Sequence, residues 1–183
     1  ERNLRDALKA AEAMSPCVLW CDEIEKGLAT SDSDGGVSRR VLGSLLTWMN
    51  ERKSPVFLVA TANAVDQLPP EFLRKGRFDE IFFVDLPNPA ARREAFRIHL
   101  QRRELDPEAF DLDALATTSD GFSGAEIEQA IVAALYAAYG ADRPLDQARV
   151  LAALKDTRPL SVLMAERVQG LREWARERCV PAD

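Results

Sequence analysis

An aspartate and a glutamate stand side by side at positions 22 and 23, directly after the apolar run Val18-Leu19-Trp20-Cys21. If that run is a strand, its carboxyl end is where side chains leave the core of an α/β sheet and meet ligands. One carboxylate there can hold Mg²⁺ through its water shell, and a second can orient or deprotonate a water. A second run, Val59-Ala60-Thr61-Ala62-Asn63, ends in an amide able to position an attacking water or touch a terminal phosphate. Arg74 and Arg77 flank Lys75-Gly76 and put two planar, permanently charged donors on a turn. Such donors stabilise charge on a phosphoryl group in transfer. Each signal alone has a plainer reading: a strand leading into a helix start, a turn cap, a surface ion pair. Their order along the chain is what gives them weight.

The elements that must position these residues are legible in the hydrophobic pattern. Leu4, Ala7, Leu8 and Ala11 recur at helical spacing across residues 3–14, and Ser15-Pro16 stops the helix. The run 17–21 is short and apolar on both faces, which predicts a parallel strand covered by helices on either side. Residues 29–36 predict a polar loop, and residues 38–52 a helix. Residues 56–60 predict a second strand and residues 81–84 a third, which ends at Asp85-Leu86-Pro87. Strands alternating with helices imply an α/β sheet with right-handed crossovers. After Pro87 the pattern changes, with no convincing strand and with helices near 90–103, 112–117, 123–139, 145–155 and 164–179. Ser123 and Glu126 have the spacing of a capping box at the start of the third of these. The expected organisation is an α/β part over 1–87 and an all-helical part over 88–183, with Asn88-Pro89 between them.

Taken in order, these motifs resemble the C-terminal part of an AAA-type ATPase. Residues 18–23 resemble the Walker B element, 56–63 the sensor-1 strand and 68–79 the arginine-finger segment. Gly121-Phe122-Ser123-Gly124-Ala125-Glu126 resembles the start of the sensor-2 helix. The similarity runs from about residue 3 to about residue 140, and the long forms of the first two motifs look closest to one subgroup. That subgroup is the AAA proteins first noted as a conserved reading frame of algal chloroplasts and cyanobacteria. The resemblance implies the C-terminal part of a RecA-like core, with three parallel strands recognisable, followed by an all-helical lid domain.

The resemblance also implies roles. Asp22 would bind Mg²⁺ through water, Glu23 would activate the hydrolytic water, and Asn63 would act as sensor 1. Arg74 and Arg77 would reach a neighbouring subunit's nucleotide. His99 falls where relatives place a residue near the ribose and adenine, and Gly124 and Ala125 would line the base pocket. A lone His on a helix is also a common structural residue. The loop 29–36 would be the second pore loop, and Arg39-Arg40 would open the following interface helix. The implied ligands are ATP and Mg²⁺, the implied assembly a ring, a hexamer in the parent protein, and the implied target a protein substrate. Lys75, Pro69 and Glu80 depart from common family residues around the arginines without replacing them, and no sensor-2 arginine stands at Ala125.

One part is missing. No Gly-x-x-x-x-Gly-Lys-[Ser/Thr] occurs, so no row of backbone amides cradles a β-phosphate and no lysine neutralises its oxygens. The reading that follows is a fragment of a longer ATPase, not competent by itself. A non-hydrolysing AAA-like adaptor and a helical interaction module are the alternatives. An adaptor would not need the Asp22, Glu23, Asn63, Arg74 and Arg77 set.

Composition narrows the partners. Net charge is −6, spread evenly, with 11 basic and 14 acidic residues over 1–87 and 13 and 16 over the rest. No basic field favours nucleic acid. No apolar stretch approaches the roughly 20 residues of a membrane span. Cys17, Cys21 and Cys179, with a single His, are too few soft ligands for zinc and read as buried free thiols. A reducing, cytoplasmic compartment is expected.

Overall fold

The computed structural model describes residues 2–28, 35–74 and 76–182. Residues 29–34, most of the expected pore loop, and Lys75 lie outside the described residues, as does the side chain of Arg39. The chain divides into two compact units, residues 1–81 and 82–183.

In the first unit, helix α1 (Arg2–Ala13) buries Leu8 and Ala11 and runs to the Ser15-Pro16 stop. Strand β1 (Cys17–Cys21) pairs in parallel with β2 (Val56–Ala60), Cys17 opposite Val56 and Cys21 opposite Ala60. Between them come the short α2 (Ile24–Leu28) and the long α3 (Gly35–Glu51). Leu8, Ile24, Leu28, Leu45, Leu68 and Phe72 form the core of this unit, with Leu19, Cys21 and Ala60 of the sheet packed on it. Only that face of the pair is covered. Val18, Trp20 and Phe57 point the other way and are 64%, 62% and 66% exposed, which corrects the expectation of helices on both faces. Period-2 alternation decides which residues share a face. An all-apolar strand sequence does not say which faces are dry.

The second unit is built on helices with explicit start signals. Asn88 caps α4 (Pro89–Gln101) by accepting from Ala91 N–H, with proline at the first position, where its missing donor costs nothing. Asp111 caps α5 (Leu112–Thr118) and Asp146 caps α7 (Gln147–Asp156) in the same way. Ser123 and Glu126 close the capping box on α6 (Gly124–Gly140). The core joins Phe96 and Leu100 of α4 to Leu115 of α5, Ile127 and Ile131 of α6, and Val150 of α7, all fully buried. Truncating Phe96 or Leu100 to alanine at such sites costs about 2–5 kcal/mol. Arg92 is buried among these helices. Its guanidinium donates to the Ala116 carbonyl at 3.0 Å and the Pro87 carbonyl at 2.9 Å, and pairs with Asp120 at 3.1 Å.

The third strand is shorter than its expected 81–84: strand β3 spans only Phe82–Phe83 and belongs to the second unit. It pairs in parallel with β4 (Val180–Pro181), a strand the sequence pattern did not suggest. The predicted helix over 164–179 is the shorter α9 (Ala165–Ala175), preceded by a four-residue α8 (Leu160–Leu163) that the pattern did not suggest. Arg172 of α9 reaches the segment after β3, with its Nε 2.8 and 3.0 Å from the two Asp85 oxygens. The three cysteines are free and half-buried.

Candidate functional site

Asp22 and Glu23 form the turn that follows β1, and Thr61 is the first residue after β2. Four hydrogen bonds tie Thr61 to that turn. Its N–H donates to the Cys21 carbonyl at 2.9 Å, and its carbonyl accepts from Ile24 N–H at 2.9 Å. Its hydroxyl donates to Asp22 Oδ1 at 2.5 Å and accepts from Glu23 N–H at 3.0 Å. Parallel pairing of β1 and β2 brings the two strand ends level, so residues about 40 apart in sequence become neighbours.

Glu23 has φ +47°, the left-handed region that side-chain-bearing residues rarely occupy. A conformation of that kind persists where surrounding contacts over-determine it, and such positions cluster at functional sites. Here the Thr61 bonds do so. Glu23 is half-buried, and its Oε1 accepts from the Asn63 side-chain amide at 3.3 Å. Its Oε2 accepts from Lys26 Nζ at 2.5 Å, and that hydrogen bond holds the lysine ammonium above its ordinary range. Glu25, two residues on, is 3% exposed, and its Oε1 accepts from the Asn63 backbone N–H at 3.1 Å. The turn therefore offers one exposed carboxylate, Asp22, and one partly sheltered carboxylate, Glu23, with an amide directed at the latter. Among the described residues no group of three or more His, Cys, Asp or Glu side chains could form a metal cage. The donor set fits a hard cation met by one carboxylate, water and a ligand's own oxygens, as Mg²⁺ prefers.

The arginine segment turns at Gly76, whose φ of +91° favours a residue without Cβ. Phe72 and Phe78 anchor it through an edge-on ring contact, centroids 5.0 Å apart. Arg74 is exposed. Arg77 is half-buried and donates to the Leu46 carbonyl of α3 at 3.2 Å, so it rests on its own subunit's helix.

In the second unit, His99 of α4 has a side chain only 13% exposed, with Nδ1 3.6 Å from Glu128 Oε1, and that nitrogen has no hydrogen-bond partner among the described residues. Arg103 takes that carboxylate at 2.9 Å and, by this hydrogen bond above all, pulls Glu128 below the usual carboxylate range. Glu128 lies one helical turn on from Gly124, beside which there is open space, and from the exposed Ala125. His99 is thus brought to the first turns of α6, while Asp22, Glu23 and Asn63 gather in the first unit. A groove of about 880 Å³ between α1 and α3 is lined by Lys9, Arg40, Thr47, Trp48 and others, and Asp22, Glu23 and Asn63 are not among its lining residues.

Sequence reasoning missed Thr61, Glu25, Lys26, Glu128 and Arg103. Thr61 sits inside a run already singled out, and its position one residue past a strand was the available signal. Nothing in the sequence separates Glu25 from an ordinary solvated helix residue.

Comparison with known proteins bears on this arrangement. The sequence profile of the ATPase family associated with various cellular activities (AAA) matches residues 1–86, and that of the AAA+ lid domain matches residues 109–149. The chain belongs to the AAA family. An uncharacterized AAA domain-containing protein ycf46 of Pyropia yezoensis is 44% identical over 96% of this chain and 36% of its own length. The ycf46 protein of Trieres chinensis is 46% identical over the same shares. This AAA chain spans about a third of the length of those curated relatives. In structure it resembles the FIGL-1 AAA domain, with a TM-score of 0.81 at 19% identity, covering 97% of this chain and 62% of that one. The FIGL-1 AAA domain in complex with ADP gives a TM-score of 0.79 over 97% and 63%. The chain shares the AAA fold with the FIGL-1 domain, and its lid segment matches the AAA+ lid profile.

Proposed function

We propose that this chain supplies the water-activating, sensing and inter-subunit half of an AAA ATPase that couples ATP hydrolysis to remodelling of a protein substrate in a ring, a hexamer by family analogy. Glu23 is the general base that orients and deprotonates the attacking water, and Asn63 holds its carboxylate in place. Asp22 holds Mg²⁺ through water, and the Thr61 hydroxyl fixes its rotamer. Arg74 and Arg77 act on the nucleotide of a neighbouring subunit, for which Arg77 must leave the Leu46 carbonyl. His99, Gly124 and Ala125 line the base pocket from the lid. Mg·ATP, when bound, supplies the scissile phosphoanhydride. The phosphate-binding loop belongs to a segment outside these residues, so the isolated chain neither holds ATP tightly nor turns it over. The setting is cytoplasmic.

The observation that carries this reading is the Asn63–Glu23 contact, set beside Asp22 by the four Thr61 bonds. A non-hydrolysing adaptor has no use for an amide trained on a carboxylate. The deciding experiment is Glu23→Gln in the full-length gene product. ATP binding should persist while turnover falls by about 10²–10⁴-fold, the usual contribution of a general base. Wild-type hydrolysis rates in that variant would remove Glu23 from the role.

A further inference from the structure

We propose that Glu25 is a positioning residue of the hydrolysis site, a buried carboxylate whose task is to hold the Asn63 main chain so that the Asn63 amide faces Glu23. The proposal rests on the functional reading above and adds to it a residue outside the reacting set.

Glu25 lies in the first turn of α2 and is 3% exposed. Its Oε1 accepts from Asn63 N–H at 3.1 Å. Its Oε2 is equally buried and has no hydrogen-bond partner among the described residues. Burying a carboxylate with one oxygen unsatisfied is costly, and an apolar side chain would fill the same space without that cost. What the carboxylate adds over an apolar side chain is the bond to Asn63, the residue whose side chain reaches Glu23 Oε1 at 3.3 Å. Glu23 and Glu25 therefore grip Asn63 from both sides, one through its amide and the other through its backbone. The four Thr61 bonds to the β1 turn end two residues before Asn63. The Glu25 bond ties Asn63 itself to α2. Small misplacements at a reacting centre have large kinetic effects, so the bond is expected to act on turnover rather than on nucleotide affinity.

Two variants in the full-length gene product separate this from a merely structural role. Glu25→Gln keeps an acceptor at Oε1, and Glu25→Met removes it in nearly the same volume. Glu25→Met should fold with an unchanged or raised melting midpoint, because an unsatisfied buried oxygen is lost with the acceptor. Its kcat should fall about tenfold with KM for ATP within about twofold, while Glu25→Gln stays within about threefold of wild type. Hydrogen exchange of the segment 61–65 should quicken in Glu25→Met and not in Glu25→Gln. Unchanged exchange in Glu25→Met overturns the proposal whether or not the protein hydrolyses ATP. Quickened exchange with unaltered kcat in an active protein overturns it too, as does a fall in stability that accounts for the loss of activity. Absence of turnover in the wild type would instead refute the ATPase reading, and the exchange comparison would still decide whether Glu25 holds Asn63.

Discussion

The Asn63 side-chain amide donates to Glu23 Oε1 across 3.3 Å, joining the segments that leave two adjacent parallel strands. Removing it with Asn63→Ala leaves Lys26, among the described residues, on the Glu23 side-chain oxygens. On the proposed role of Glu23 as base, kcat in the full-length gene product should fall about 10–10²-fold with the protein fully folded, since a base within reach but poorly oriented loses much of its effect. Steady-state turnover with a parallel melting curve checks this. Unchanged kcat would mean that Lys26, and not Asn63, sets the Glu23 rotamer.

Thr61 carries a different kind of load. Thr61→Val keeps the shape but strips the hydroxyl that accepts from Glu23 N–H and donates to Asp22. Stability should drop by about 1–2 kcal/mol, because the part-buried Glu23 N–H loses its acceptor in a left-handed turn. Thr61→Ser should recover most of that. Denaturant midpoints of the three proteins provide the comparison, and equal midpoints would show that backbone pairing alone fixes the turn.

Gly76 sets the arginine turn through its backbone, not its surroundings, for nothing lies within 4 Å of where a Cβ would stand. Gly76→Ala should therefore cost about 1–2 kcal/mol from the left-handed φ alone. Gly76→Asn should cost less, since asparagine tolerates that region better. Chemical denaturation resolves the two, and an alanine variant as stable as wild type would indicate that the turn relaxes to a negative φ.

Acid should loosen the end of the second unit. Burial would raise the Asp85 pKa, but hydrogen bonds from Arg172 and Leu86 N–H outweigh it and hold the carboxyl below its ordinary value. A carboxyl with a depressed folded-state pKa contributes stability above the unfolded value, near 3.9, and loses it as pH falls through the lower folded value. Protection of α9 and β4 against hydrogen exchange, taken relative to the intrinsic rate at each pH, should thus be high at neutral pH and fall below about pH 4. Asp85→Asn should exchange faster at neutral pH and respond less to acid. A wild-type profile flat down to pH 2 would remove the ion pair as the cause.

Much of this was legible because helices announce their ends. Asn88-Pro89, Asp111, Ser123 with Glu126, and Asp146 each start a helix where a capping side chain and an apolar period meet. Asp22, Glu23 and Asn63 were legible because strand ends are where polar groups follow apolar runs. Strand β4 was not, since two residues, one of them proline, carry no period. Nor was the placement of Arg77 on the Leu46 carbonyl, which depends on how α3 passes beneath the turn. Glu25 was invisible for a deeper reason. A buried charge and a solvated one are written with the same letter, and only the fold decides between them.

The open face of the β1–β2 pair has an optical consequence. Trp20 stands 62% exposed there on the same face as Val18 and Phe57, whereas Trp48 and Trp174 are half-buried, each with an arginine over its ring. Three indoles in three environments give a composite emission whose red edge belongs mainly to Trp20. A quencher confined to water reaches that indole first, and its light shifts to the blue when the sheet face dries. The chain thus carries its own gauge of whether that surface is wet.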